Sequence, residues 1–173
     1  MMEIRLSGSG GQGVITAAII FAEAAIMEGK EAVQAQSYGP EARGGATKAE
    51  VIVSERPIFH PKVGQPDILL ALTQQAANKY AAENKEDTVM VVDEDLVPEP
   101  PDTKRLVKVP ITRLAVEKLG RDLFANIIAL GVLVKISGAV TIESVQKAVA
   151  HRVPKATVEK NMEALRLGFE AVP

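Results

Sequence analysis

Gly8-Ser9-Gly10-Gly11-Gln12-Gly13 is the stretch that decides the fold. It follows the alternating run Ile4-Arg5-Leu6 and precedes an Ala/Ile-rich segment that reaches about Met27. Strand, glycine turn and helix in that order predict the opening of a Rossmann-like unit. The first N–H groups of such a helix have no intrahelical acceptor, so the turn suits an anion. Gly8, Gly10 and Gly13 satisfy Gly-x-Gly-x-x-Gly, the dinucleotide fingerprint. That fingerprint also needs an acid about 20 positions on, at the end of the second strand. Here the second strand, about Ala32 to Gln36, ends in Gln36 and Ser37, and Glu31 stands at its start. The motif predicts the fold and argues against NAD.

Outward from the turn, Gln12 to Glu28 is apolar on nearly every side, as in a helix buried on more than one face, and Gly29 ends it. A loop with three glycines, a proline and an arginine comes next, Ser37 to Gly45. Ala49, Val51 and Val53 alternate with Glu50, Ile52 and Ser54, predicting a strand over Ala46 to Ser54. Pro57, Pro61, Gly64 and Pro66 mark an irregular connection. The continuous apolar run Asp67 to Leu72 predicts a central parallel strand. Thr73 caps a helix to about Glu83, and Val89 to Val92 and Leu106 to Val109 are further strands. The remainder is expected to be helical. Leu123, Ile127, Leu130 and Val134 lie at helical spacing before Gly138. Thr141 caps a helix with Ile142, Val145 and Val149, and after Pro154 comes a stripe of Val158, Met162, Leu165 and Phe169.

Strands alternating with helices predict an α/β fold, with a Rossmann-like, doubly wound, mostly parallel sheet and a C-terminal helical segment. The expectation is a single domain over 1–173, with the sheet portion in about 1–110 and helices packed on it in about 111–173. Apolar residues at 47% exclude a disordered chain, and a net charge of -2 offers no general attraction to nucleic acid. Aromatics at 3% leave few stacking platforms for single strands. The chain has no cysteine, which removes disulfides, thiol chemistry and thiolate ligation of clusters from it. The apolar stretch Val14 to Met27 is shorter than the ~20 residues a bilayer needs, and no signal peptide is expected ahead of the first strand. The expected setting is cytoplasmic, with no membrane partner.

Two loops together carry a resemblance. Gly8-Ser9-Gly10-Gly11-Gln12-Gly13 followed by Tyr38-Gly39-Pro40-Glu41-Ala42-Arg43-Gly44-Gly45 resembles the gamma subunit of 2-oxoacid:ferredoxin oxidoreductases, including the pyruvate and ketoisovalerate enzymes. Leu69-Leu70-Ala71-Leu72, Val91-Val92-Asp93 and Asn126 to Gly131 fall where that family has similar segments, so the resemblance spans essentially the whole chain. The second loop is most similar to the 2-oxoglutarate type. The resemblance implies a complex that converts a 2-oxoacid and coenzyme A to acyl-CoA and carbon dioxide, with ferredoxin as electron acceptor. It further implies alpha, beta and ferredoxin-like partner subunits, with thiamine diphosphate and iron–sulfur clusters held by those partners. Coenzyme A is the ligand this subunit is expected to share.

The candidate binding residues are therefore Gly8, Ser9, Gly10, Gly11, Gln12 and Gly13, with Tyr38, Arg43, Gly44 and Gly45 from the second loop. Each loop has a plainer alternative. The first serves equally as tight strand-to-helix packing, and the second as a subunit interface, since arginine is enriched in both settings. Asp93-Glu94-Asp95 is expected to be a solvated strand end, and His60 and His151 have no ligand partners at metal spacing. Asn126 stands alone in an apolar helix and is expected to bond neighbouring backbone. No nucleophile, metal cage or acid–base pair is visible, so no catalytic residue is assigned. A free-standing nucleotide-binding protein and a purely structural subunit remain as alternatives.

Overall fold

The computed structural model describes residues 1–37 and 45–173. Its elements are β1 (Met2–Ser9), α1 (Val14–Met27), β2 (Glu31–Gln36), β3 (Ala46–Ser54), β4 (Ile68–Ala71), α2 (Gln74–Tyr80), β5 (Val89–Asp93) and β6 (Arg105–Val109), followed by α3 (Ile111–Leu119), α4 (Ala125–Ser137), α5 (Ile142–Arg152) and α6 (Val158–Glu170). The strands form one sheet in the order β2-β3-β1-β4-β5-β6. β1, β4, β5 and β6 are parallel neighbours, as the alternation of strands and helices predicts. β3 is antiparallel to both β1 and β2. Residues 37–45, which join β2 to β3, are fewer than the dozen or so that a parallel crossover needs, so the chain turns straight back.

Both faces of the sheet are covered. One face carries Ile4, Leu6, Val51 and Leu70 against α1 and the C-terminal helices, and the other carries Leu69, Ala71, Met90 and Val92 against α2. A strand buried twice shows no clean alternation. β3 was expected to alternate, yet Ile52 is buried as fully as Val51, and Glu50 and Ser54 are buried too. Arg5 sits on the α2 side of the central strand β1 and is completely buried.

The glycine and threonine signals hold at the helix ends. Gly29 has φ 78°. Its N–H bonds to the Ile26 carbonyl, and that of Lys30 bonds to Ala25, a paired arrangement that closes α1. Thr73 and Thr141 accept from Ala76 N and Ser144 N at the starts of α2 and α5. Two expectations are corrected. Leu123 belongs to a short 3₁₀ turn ahead of α4 and is exposed, because the turn rotates it off the face that Ile127 and Leu130 share. On α6 the fully buried face is Asn161, Ala164, Leu165 and Gly168, with Met162 and Phe169 only flanking it. The helix rotates toward its small residues because α4 and α6 meet backbone to backbone. A Cβ on Gly168 would collide with the Ile128 carbonyl, and one on Gly131 with that of Leu165.

Candidate functional site at the glycine turn

The turn stands at the C-terminal edge of β1 and hands the chain to α1. Gly11 (φ 91°) and Gly13 (φ 78°) occupy the left-handed region, which glycine enters without strain. Gln12 folds back over the turn: its Oε1 accepts from Ser9 N at 2.7 Å, and its own N–H donates to the Ser9 carbonyl at 3.3 Å. That side chain fills the space a Cβ on Gly8 would need. Gly13 is pinned from the far side. Asn126 Nδ2 donates to the Gly13 carbonyl at 3.3 Å, and a Cβ on Gly13 would lie 2.5 Å from that nitrogen. Asn126 thus bonds neighbouring backbone, as expected, and the backbone it bonds is the turn itself.

No side chain caps α1 and its first turn holds no acid. The N–H groups of Val14, Ile15 and Thr16 therefore have no intrahelical acceptor, and the dipole of the helix favours negative charge beside them. Cavities open on both sides of the turn. One of about 250 Å³ is lined by Ser9, Gly10, Gly11, Val14, Ile15 and Thr47. The other, about 490 Å³, is lined by Gln12, Gly13, Thr16, Thr112 and Asn126 among others. Together they offer backbone donors, hydroxyls and an amide, the equipment of an anion and hydroxyl binder, with one carboxylate, Asp122, on the wall of the larger cavity.

Gly8 to Gly13 are thus assembled in one turn. Gly45 is a half-buried bend directly ahead of β3. Because Ala46 is paired with Ser9 and Thr47 with Gly8, the second loop rejoins the chain beside the glycine turn. Tyr38, Arg43 and Gly44 lie outside the described residues. The insertion of β3 also explains why the dinucleotide acid has no counterpart. β2 ends one strand further from β1 than a Rossmann second strand does, with Gln36 paired to Ala49 of β3.

Asp93 corrects the expectation of a solvated acidic run. It is fully buried, accepting from Asp95 N and Leu96 N on one oxygen and from Thr112 N and Oγ1 at 2.9 and 2.7 Å on the other. It fastens the end of β5 to the start of α3, behind Leu96 and Thr112, which line the larger cavity. Glu94 and Asp95 are exposed and pair with Arg113. A carboxylate ending a wholly apolar strand was the available signal. His60 and His151 are both exposed, and no metal-binding cluster occurs among the described residues. Of the carboxyls with shifted titration, Glu163 on α6 is lowered by its hydrogen bond from Arg166, and the other two lie at the opposite end of β1 and α1. Burial and the Asp67 charge raise Glu3. Glu28 is pushed up by burial but drawn down further, to about 2, by hydrogen bonds from Thr141, Lys30 and Ser144.

Sequence and structure comparisons agree on the family to which this chain is similar. A sequence profile described as pyruvate ferredoxin/flavodoxin oxidoreductase matches residues 3–171. The 2-oxoglutarate synthase subunit KorC of Methanocaldococcus jannaschii is 51% identical over 172 residues, 97% of this chain and 92% of the relative. The crystal structure of the gamma subunit of a keto/oxoacid ferredoxin oxidoreductase from Geobacter sulfurreducens superposes with a TM-score of 0.90 at 51% identity, covering 99% of this chain and 98% of that one. A 2-oxoglutarate:ferredoxin oxidoreductase from Magnetococcus marinus, solved with 2-oxoglutarate, coenzyme A and succinyl-CoA bound, shares the fold at TM-score 0.87 and 21% identity. The likeness covers 98% of this chain and 30% of that one.

Proposed function

The chain belongs to the pyruvate ferredoxin/flavodoxin oxidoreductase family, as the gamma subunit of a 2-oxoacid:ferredoxin oxidoreductase, and from that premise we propose that its glycine turn holds the phosphate end of coenzyme A in a complex acting on 2-oxoglutarate. The observation that carries the proposal is the uncapped N-terminus of α1, with two left-handed glycines and a cavity on either side. The 2-oxoglutarate assignment is supported by the 51% identity to a 2-oxoglutarate synthase subunit.

In this proposal the turn binds and orients; it does not transfer protons or electrons. The free N–H groups of α1 meet a phosphate, and Ser9 and Thr47 offer hydroxyls toward the remainder of the ligand. Arg43 adds a planar fork of donors suited to phosphate, with Tyr38, Gly44 and Gly45 shaping the approach. Thiamine diphosphate supplies the carbanion chemistry of decarboxylation from alpha and beta subunits. The iron–sulfur clusters that carry electrons to ferredoxin require thiolates that a chain without cysteine does not have. The unbroken core shared by α1, the sheet and the C-terminal helices supports treating 1–173 as one folding unit.

Thermal melting of the assembled complex tests the ligand. Coenzyme A at ~100 times its dissociation constant stabilises the bound unit by about 2.7 kcal/mol, an upward shift that NAD does not reproduce. A shift with NAD and none with coenzyme A overturns the assignment.

A further inference from the structure

The connection from β3 to β4 carries the most exposed large apolar side chain of the described residues. Phe59 is 83% exposed. The chain has four phenylalanines; Phe21 and Phe124 are buried and Phe169 packs against the core, so Phe59 alone faces solvent outright. The connection that carries it is tied down at both ends. Val63, four residues on, is buried; its carbonyl accepts from Arg5 Nη2 at 2.9 Å and its N–H donates to Glu50 Oε2 at 3.4 Å. Arg56 N donates to Ser54 Oγ at one end, and the Pro66 carbonyl accepts from Thr88 Oγ1 at the other. Pro57, Pro61 and Pro66 restrict the path between.

From this braced arm we propose that Phe59 is an anchor that seats in an apolar pocket of another subunit of the same complex, a pocket rimmed by carboxylates. The proposal rests on the gamma-subunit assignment above. A large aromatic presented on prearranged backbone is the side chain that supplies most energy at an interface, because little ordering cost remains on binding. Arg56 and Lys62 flank it, both exposed and neither in an ion pair among the described residues, while the exposed Glu55 beside Arg56 is turned to Lys30 at 4.0 Å. They select an acidic rim. They also argue against a second copy of this chain as the occupant, since a two-fold contact through Phe59 brings the same cations face to face.

The test co-expresses the complex with a tag on this subunit, as wild type, Phe59→Ala, Phe59→Leu and the double variant Arg56→Glu/Lys62→Glu. Phe59→Ala is expected to bind its partners about ten- to a hundred-fold more weakly. Phe59→Leu recovers part of the affinity, the charge reversal weakens it further at low salt, and the melting temperature of the isolated chain stays unchanged. Wild-type retention of partners by Phe59→Ala overturns the anchor alone and leaves the gamma-subunit assignment standing. A wild-type chain that retains no partner overturns both. An isolated chain that dimerises, or that binds anionic vesicles, in a Phe59-dependent way assigns the arm to a different occupant and also overturns the proposal.

Discussion

Arg5 shows how one residue can be misplaced by pattern alone. It stands between Ile4 and Leu6 where a strand with one wet face would point it to solvent. The covered face instead holds it with no exposed surface, its Nε donating to Glu50 Oε1 at 3.0 Å. Nη1 lies 2.7 Å from Glu83 as an ion pair without hydrogen-bond geometry, and the Tyr80 ring is 5.9 Å from the guanidinium carbon. Removing Arg5 leaves Glu50 buried with only the partly exposed Lys48 at 3.1 Å as a partner, so the cost lies toward the lower end of the ~3–5 kcal/mol of an orphaned buried charge. Arg5→Met should lose about that much stability in chemical denaturation. The double variant Arg5→Met/Glu50→Leu should lose less, since the buried carboxylate goes with the arginine and the cation left behind, Lys48, is partly exposed to water. A single variant that loses under about 1 kcal/mol contradicts a buried pair. Asp93 was misread for a similar reason: charge in a sequence marks solvent only where the local face is open, and the sequence does not say which strands are covered twice. The glycines and Asn126 were legible because backbone conformation and an isolated amide in an apolar helix are local properties.

Among the elements, helix ends were the most readable feature, because capping is decided within one turn: Thr73, Thr141, Gly29 and Gly138 all act where their types predict. The buried face of α6 was not readable, because it depends on how closely α4 approaches. Gly168→Ala sets a methyl against the Ile128 carbonyl, so α6 must move outward. A loss of about 3 kcal/mol in thermal melting is expected, above the usual cost of overpacking a side-chain contact. Glu28 makes a second interelement tie. It accepts from Thr141 N at 2.6 Å and Thr141 Oγ1 at 2.8 Å, joining the end of α1 to the start of α5. Burial raises its pKa, yet these bonds and that of Lys30 bring it from 4.5 to about 2. A carboxyl depressed on folding stabilises the protein above its unfolded pKa and loses that contribution as pH falls toward its folded value. Stability should therefore drop between about pH 4.5 and 2, by roughly 1–2 kcal/mol after allowance for solvent screening. Glu28→Gln should remove that part of the acid dependence, and an unchanged pH profile in the variant counts against the tie.

For the whole molecule, the sheet order is what brings Gly45 and Ala46 beside the glycine turn. β3 enters between β2 and β1, which pairs its first residues with Ser9 and Gly8 and moves the end of β2 away from the turn. Fold class was legible from the alternation of strands and helices, whereas the antiparallel return of β3 was not read from the short connection before it. The neighbour of β1 was not legible, because strand order depends on long-range pairing that no local signal encodes. No helix among the described residues is long and apolar enough to cross a membrane. We propose that this chain contributes a binding turn and surfaces for partners and that the bond-breaking chemistry belongs to the partner subunits. Dye reduction driven by 2-oxoglutarate and coenzyme A tests that most directly, comparing the complete complex, the complex lacking this chain, and the chain alone with thiamine diphosphate added. Full activity only in the complete complex, and none from the chain alone, is the expected result. Reduction by the isolated chain, or undiminished activity in the complex without it, contradicts the account.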